Sequence, residues 1–395
     1  MENTKQVETK QVQVQNSVQA ACQTEEFLRK HFQFRHNVMT GVVEFRENRS
    51  ENNAFYPLSQ RQQNAMTLMA LRAGIGAWDK DVRRYVNSTL VADYEPMRDY
   101  LESLPRWDGR ERVERLARRI RTANKHWPVD FHRWMLAMVA AWLQMDGEHG
   151  NGIVPVLVGG QGSGKTTFCR RLLPERLQTY YNDRINLRNE NDINLALSGF
   201  ALINIDEFDS TSRSLQPLLK YLLTKHDVKM RPPFGKVMEQ RKRYASFIAT
   251  TNCERPLTDP TGSRRFICVR ADQVNNHLKV NHAQVYAQLL HELREKHYRY
   301  WFTKTEEQRL MRANEPFRRI STYEELVRCA LRPAEECADS PWMPLSQAVT
   351  VLLPHYSELL SAKSAPQRLG CTLLSMGYAH RRTGKGAEYK LIMRE

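Results

Sequence analysis

Ile153-Val-Pro-Val-Leu-Val158 is apolar throughout and runs straight into Gly159-Gly-Gln-Gly-Ser-Gly164-Lys165-Thr166. A short apolar run bounded by glycine predicts a strand buried on both faces, the kind found in a parallel sheet covered by helices. The loop matches GxxxxGK(S/T), and Thr167–Leu172 after it reads as a helix, which is the context the pattern requires. Glycines in such a loop let backbone N–H groups converge on phosphate oxygens, and the helix N-terminus adds a favourable dipole. Gly159, Gly160, Gln161, Gly162, Ser163, Gly164, Lys165, Thr166 and Thr167 are therefore the candidate nucleotide cradle. Within it, Lys165 is expected to reach the β- and γ-phosphates, and the Thr166 hydroxyl to ligate Mg²⁺.

Similar apolar runs recur at Ala201–Ile205, Ser246–Thr250 and Phe266–Val269, with segments between them long enough for crossover helices. Residues 151–272 are accordingly expected to form a three-layer α/β domain. The second run ends in Asp206 and Glu207. Asp206 is placed to hold the Mg²⁺ shell, and Glu207, on the other side of the strand, is suited to polarising an attacking water. An adjacent Asp-Glu pair favours hydrolysis over transfer to an organic acceptor. The third run ends in Thr250-Thr-Asn252, where Asn252 would lie beside the γ-phosphate. Arg264 and Arg265 follow, either as a basic surface turn or as an arginine finger supplied to a neighbouring subunit.

Outside this block the organisation is coarser. Residues 1–24 carry no aromatic residue and are expected to be a flexible tail. A small α+β domain is expected over 25–105, a helical lead-in over 106–150 and a helical segment over 273–335. Residues 340–395, after a linker at Pro333–Pro344, hold two helical stretches and a basic Gly-rich strand–turn–strand ending at Met393, which suggests a winged helix. The chain has 59 Lys and Arg against 44 Asp and Glu, a formal net charge of +15, which points to a polyanionic partner. Seven scattered cysteines without CxxC spacing argue against a disulfide framework and a zinc centre. No apolar run approaches a membrane span and no secretory signal opens the chain, so a cytoplasmic, bacterial location without membrane contact is expected.

With these motifs in this order, the chain resembles the virulence-associated protein E (VapE) family, P-loop ATPases of phages and mobile elements related to superfamily 3 helicases within the AAA+ class. The resemblance rests on Gly159–Thr166, Ile205–Phe208, Thr250–Asn252 and Thr258–Phe266, with Leu104–Gly109 and Phe131–Met135 upstream. It implies an ATP- and Mg²⁺-dependent helicase or translocase that works as a ring, commonly a hexamer, with nucleotide between subunits. That setting favours the finger role for Arg264 or Arg265. It also implies a β-hairpin aimed into the ring channel, here 228–243, where Arg231, Phe234 and Lys236 would touch single-stranded DNA. The C-terminal module would bind duplex DNA or a partner. Some relatives carry a primase-like domain, but 1–110 lacks the clustered carboxylates that nucleotidyl transfer needs, so a primase would be a separate partner. Two other expectations share the same ATPase residues or depend on them: a non-unwinding nucleic-acid-dependent loader or switch, including one serving phage interference, and a binding protein whose nucleotide is structural.

Overall fold

A computed structural model describes residues 2–394 apart from 52, 148, 188, 209–214, 232–236, 259–262, 335–341 and 385, and gives no side chains for 2–15 or 215–217. It divides into two units. The larger comprises Met1–Glu254 with Thr261–Pro316, and the smaller Arg255–Pro260 with Phe317–Glu395.

Thirty residues without glycine or proline open the larger unit and form one helix, α1 (Glu2–His31). A helix thus stands where a flexible tail over 1–24 was expected. Nothing in the segment breaks a helix, and its C-terminal end docks, with Leu28 fully buried, which extends a marginal local preference along the chain. Strands β1 (Phe32–Asn37), β2 (Val42–Glu47) and β3 (Tyr56–Pro57) follow, then α2 (Gln60–Arg72), α3 (Asp79–Val86) and β4 (Asp93–Tyr94). The sheet order is β3-β2-β1-β4, with β1 and β2 antiparallel from Phe32↔Glu47 to Asn37↔Val42. Leu28, Phe32, Phe45, Leu58, Met66, Val82 and Val86 form its core.

Helices α4 (Pro96–Glu102) and α5 (Val113–Ala117), strand β5 (Ile120–Arg121) and helix α6 (Trp127–Trp142) lead to the central sheet. The helical reading of 111–122 thus shortens to α5, because Ile120 and Arg121 pair with a later strand. Helix α6 buries Trp127, Phe131, Trp134, Met138 and Trp142 completely and is the main helical wall of the core.

Then come β6 (Val154–Val158), α7 (Lys165–Arg170), β7 (Tyr181–Asn182), α8 (Glu190–Gly199), β8 (Leu202–Ile205), α9 (Leu215–Leu223), β9 (Asp227–Met230), β10 (Glu239–Lys242), β11 (Ser246–Thr251) and β12 (Phe266–Arg270). Strands β12-β6-β11-β8-β7 make one five-stranded sheet in that order, every pair parallel. Strands β6, β8 and β11 are buried at every residue, which is why they read as largely apolar runs, interrupted only by Asn204 in β8 and by Ser246, Thr250 and Thr251 in β11. Strands β9 and β10 form a separate antiparallel hairpin, Asp227↔Lys242 to Met230↔Glu239. The unit closes with β13 (Gln273–Val274), paired to β5, and helices α10 (His282–Arg294) and α11 (Lys304–Asn314).

The smaller unit is built from α12 (Thr322–Ala330), β14 (Leu331–Pro333), β15 (Trp342–Pro344), α13 (Leu345–Leu352), α14 (Ser357–Leu360), α15 (Ala365–Ser375), β16 (His380–Thr383) and β17 (Gly386–Met393). Strand β17 pairs antiparallel with β14, β15 and β16. Tyr323, Leu326 and Val327 of α12 share a core with Leu352, Leu369, Leu373 and Leu391. Helix α12 therefore belongs with the C-terminal module, which begins earlier than the 340 boundary expected from the sequence. Both ends of the expected Pro333–Pro344 linker are strand residues.

Candidate active site

The loop after β6 wraps around the Lys165 ammonium. Gly164 opens α7 at φ +87°, and a Cβ there would lie 2.6 Å from Asn276 Nδ2, so a side chain at this position would be strained and would displace Asn276. Asn276 Nδ2 in turn donates to the Gly164 carbonyl at 2.9 Å, tying the loop to the segment after β13. Lys165 is 6% exposed. Its Nζ donates to Gly159 O and Gly160 O at 2.7 Å each, and to Ser163 Oγ and Asn252 Oδ1 at 3.2 Å each. Burial lowers the pKa of this ammonium, with the charges of Asp206 and Asp272 opposing. Neutral carbonyls hold the cation in place, and an anionic phosphate is a stronger acceptor for the same donors.

Asp206 and Glu207 directly follow β8, at the same end of the sheet as the loop. Asp206 Oδ1 accepts hydrogen bonds from Thr250 Oγ1 and from the Glu207 backbone N–H (3.2 Å), and lies 3.5 Å from Thr166 Oγ1. Glu207 is exposed and sits at φ 51°, left-handed for a residue with a Cβ. A cavity of about 340 Å³ is bounded by Gln161–Thr167, Asp206, Glu207, Thr250, Thr251 and Asn252. The structure thus brings Gln161, Gly162, Ser163, Gly164, Lys165, Thr166, Thr167, Asp206, Glu207 and Asn252 around one space. Gly159 and Gly160 contribute the carbonyls under Lys165. The hydroxyl of Thr166 and the carboxylate of Asp206 are hard oxygen donors side by side on its wall, a pair that fits Mg²⁺ taking its other ligands from water and phosphate.

Arg264 and Arg265 are not at this cavity. They occupy the 3₁₀ turn Ser263–Arg265 just before β12, whose first residue Phe266 pairs with Val154, the first residue of β6. The Gly159–Gly164 loop follows the last residue of the same parallel strand, so the two arginines stand at the opposite end of the sheet. Arg264 lies 3.6 Å from Glu307, and burial lowers the Arg265 pKa with the Arg264 charge assisting. On the hairpin, Arg231 is exposed, whereas Phe234 and Lys236 lie outside the described residues.

A second group of possible metal ligands, Glu111, His132 and Glu292, brings its ligand atoms within 4.8 Å of one another. It is closed on itself. Gln288 Nε2 donates to Glu111 (2.5 Å) and Glu292 (2.9 Å), and His132 Nε2 lies 2.6 Å from Glu292 Oε2. This network clamps α6 to α10 and does not resemble an open ligand set. Sequence reasoning also missed three members of the candidate site. Thr250 and Thr251 lay inside the Thr250–Asn252 triplet, where hydroxyls beside a carboxylate were the available signal. Asn276 had no signal, since its partner is 112 residues away.

A profile of the virulence-associated protein E-like domain matches residues 101–319, slightly over half of the chain. No curated protein matches the chain in sequence. Among solved structures, one of the NrS-1 C-terminal region superposes with a TM-score of 0.50 at 12% identity, covering 95% of this chain and 99% of that one. A structure described as the A form of that region gives a TM-score of 0.51 at 12% identity over 94% and 99%. At that identity the likeness is one of fold. A structure described as SCCmec type IV Cch, active helicase, aligns over 87% of this chain and 67% of that one at 10% identity, with a TM-score of only 0.30.

Proposed function

The chain belongs to the virulence-associated protein E-like family, and on that premise we propose that it is an ATP-driven motor on single-stranded DNA, acting as a ring oligomer in the replication of a phage or mobile element. One observation carries this reading. Lys165, Asp206, Glu207 and Asn252 surround a single cavity, while Arg264 and Arg265 stand at the far end of the same sheet. A subunit so built holds a nucleotide at one edge and offers cationic side chains at the other. Ring closure brings the two edges together, as a head-to-tail interface does. The sheet order and its covering helices support an AAA+-like three-layer core, and the β16–β17 hairpin supports a winged module for duplex DNA.

In this mechanism the loop amides and Lys165 bind the β- and γ-phosphates of ATP. Mg²⁺, held by Thr166 and Asp206, supplies neutralisation of phosphate charge when bound. Glu207 accepts a proton from the attacking water, Asn252 orients that water, and the bond between the γ-phosphorus and the bridging oxygen breaks to leave ADP and phosphate. A neighbour's Arg264 or Arg265 stabilises the charge that develops. Net charge of +15 suits a polyanionic track. Each turnover then shifts the 228–243 hairpin, with Arg231, Phe234 and Lys236 on the strand. A separate primase would supply primers.

The test is ATP turnover with and without single-stranded DNA for wild type, Glu207→Gln and Phe234→Ala/Lys236→Ala. DNA should stimulate hydrolysis, the carboxylate variant should lose about 10²–10⁴-fold of it, and the hairpin variant should lose only the stimulation. Turnover indifferent to DNA and to the hairpin would replace the motor by a loader or switch. No turnover sensitive to Lys165→Ala would leave a structural nucleotide site.

A further inference from the structure

The N-terminal domain reaches the hairpin through one turn, Val38–Gly41, between β1 and β2. Three contacts seat this turn. Met39 is fully buried in the core that contains Trp142, Leu202 and Tyr244. Asn37, 1% exposed, donates from Nδ2 to Tyr180 OH at 2.8 Å and to Glu44 Oε1 at 2.7 Å, while its Oδ1 accepts from the Met39 and Thr40 amides. Thr40 O accepts from Arg241 Nη1 at 3.1 Å. Arg241 belongs to β10, the outer strand of the hairpin. Its guanidinium is largely covered, held by Glu239 Oε2 at 2.7 and 3.0 Å, and lies against Gly41. Gly41 has φ +68°, and a Cβ there would fall 2.2 Å from Arg241 Nη2. The seat therefore exists only because residue 41 has no side chain. On the other side of the hairpin, Asn194 of α8 donates to the Lys229 carbonyl at 3.3 Å, so β9 is held by the ATPase domain itself.

We infer that the Val38–Gly41 turn is a brace that fixes the root of the hairpin, and that Arg241 is a positioning residue acting through Gly41 and Thr40. This gives the N-terminal domain a job: it ties the outer hairpin strand to the edge of the ATPase sheet, so that movement of that edge is passed to the hairpin tip. The brace stands on geometry alone. Its consequence for DNA rests on the hairpin reading given above.

Two measurements on the full chain separate these layers. The first is amide hydrogen exchange of residues 239–242 in wild type, Gly41→Val, Arg241→Ala and the double variant. Each single change should speed exchange there by about tenfold, leave β6 and β11 protected, and add little to the other, since both remove one contact. Unchanged exchange in Arg241→Ala, or fully additive effects, would overturn the brace. Arg241→Ala adds no bulk, so it keeps the result decisive even where valine at 41 unfolds the turn.

The second is DNA-stimulated ATP turnover against salt. A brace predicts that both variants lose stimulation by several-fold with basal turnover and salt slope unchanged. A lone phosphate contact predicts instead that Arg241→Ala alone weakens DNA binding and lowers the slope by about 0.7, with Gly41→Val silent; that pattern overturns the brace. Where wild-type turnover ignores DNA, the motor reading fails and the exchange result still decides the brace.

Discussion

Glu207 holds its backbone at φ 51° immediately after an apolar strand, and for a side chain with a Cβ this conformation costs on the order of 1 kcal/mol. Asparagine adopts the same region far more readily. Replacing Glu207 by Asn is therefore expected to raise unfolding stability by about 0.5–1 kcal/mol while turnover falls by about 10²–10⁴-fold. Denaturant midpoints and a turnover assay on the same preparation check both, and a variant that is less stable than wild type would show the conformation is not strained. At this scale the sequence was most informative where chemistry is local. Gly159–Thr167 form one contiguous loop, and Asp206 and Glu207 end one strand, so spacing along the chain was enough to group them. The cage around Lys165 was only half legible: Gly159 and Gly160 are close neighbours, but Asn252 lies 87 residues on. Arg241 on Gly41 was invisible, because a glycine between two short strands carries no mark of what rests on it.

Helices α6 and α10 are joined by a titratable contact. Burial alone would push the His132 imidazolium pKa down, but the hydrogen bond and charge of Glu292, with Glu111 and Glu114 nearby, more than offset it, and the value ends raised above its usual 6.5. A folded-state pKa above the unfolded one stabilises fully below about 6.5, and that contribution disappears as pH rises through the raised value. The stability difference between wild type and His132→Gln should therefore be largest near pH 6 and shrink steadily above neutrality. Urea midpoints across pH test this, and a difference that stays constant would mean the charged form contributes nothing. Elements buried on all sides were the ones legible in advance: β6, β8 and β11 have no solvent-exposed face, and their few polar residues, such as Asn204 and Ser246, are small enough to leave the apolar run visible. Strands β5, β7 and β13, two residues each, were not, since they are strands only by virtue of partners elsewhere. Arg243 shows another limit. The last residue of the expected 228–243 hairpin, it is 5% exposed and donates to the carbonyls of Leu222, Leu223, Lys225, Ala245 and Asn151, capping α9.

Across the whole molecule, the Lys165 cavity and the arginine pair lie at opposite ends of one sheet, and in the ring proposed above a working site would need two subunits. Lys165→Ala subunits keep their arginines, and Arg264→Ala/Arg265→Ala subunits keep their loop. Each alone should be inactive, whereas an equal mixture, exchanging at random, should recover about a quarter of wild-type turnover per subunit. No recovery would place the arginines outside the active site. The strand order has a consequence for synthesis as well. Strand β6 emerges first of the five, yet its neighbours β11 and β12 begin only at Ser246 and Phe266. At roughly 5–20 residues per second, the first strand waits on the order of 5–20 s for either partner. Through that interval five consecutive apolar residues have α6, made just before them, as cover, and a nascent chain that stalls before Ser246 presents an adhesive ribbon to whatever is nearby.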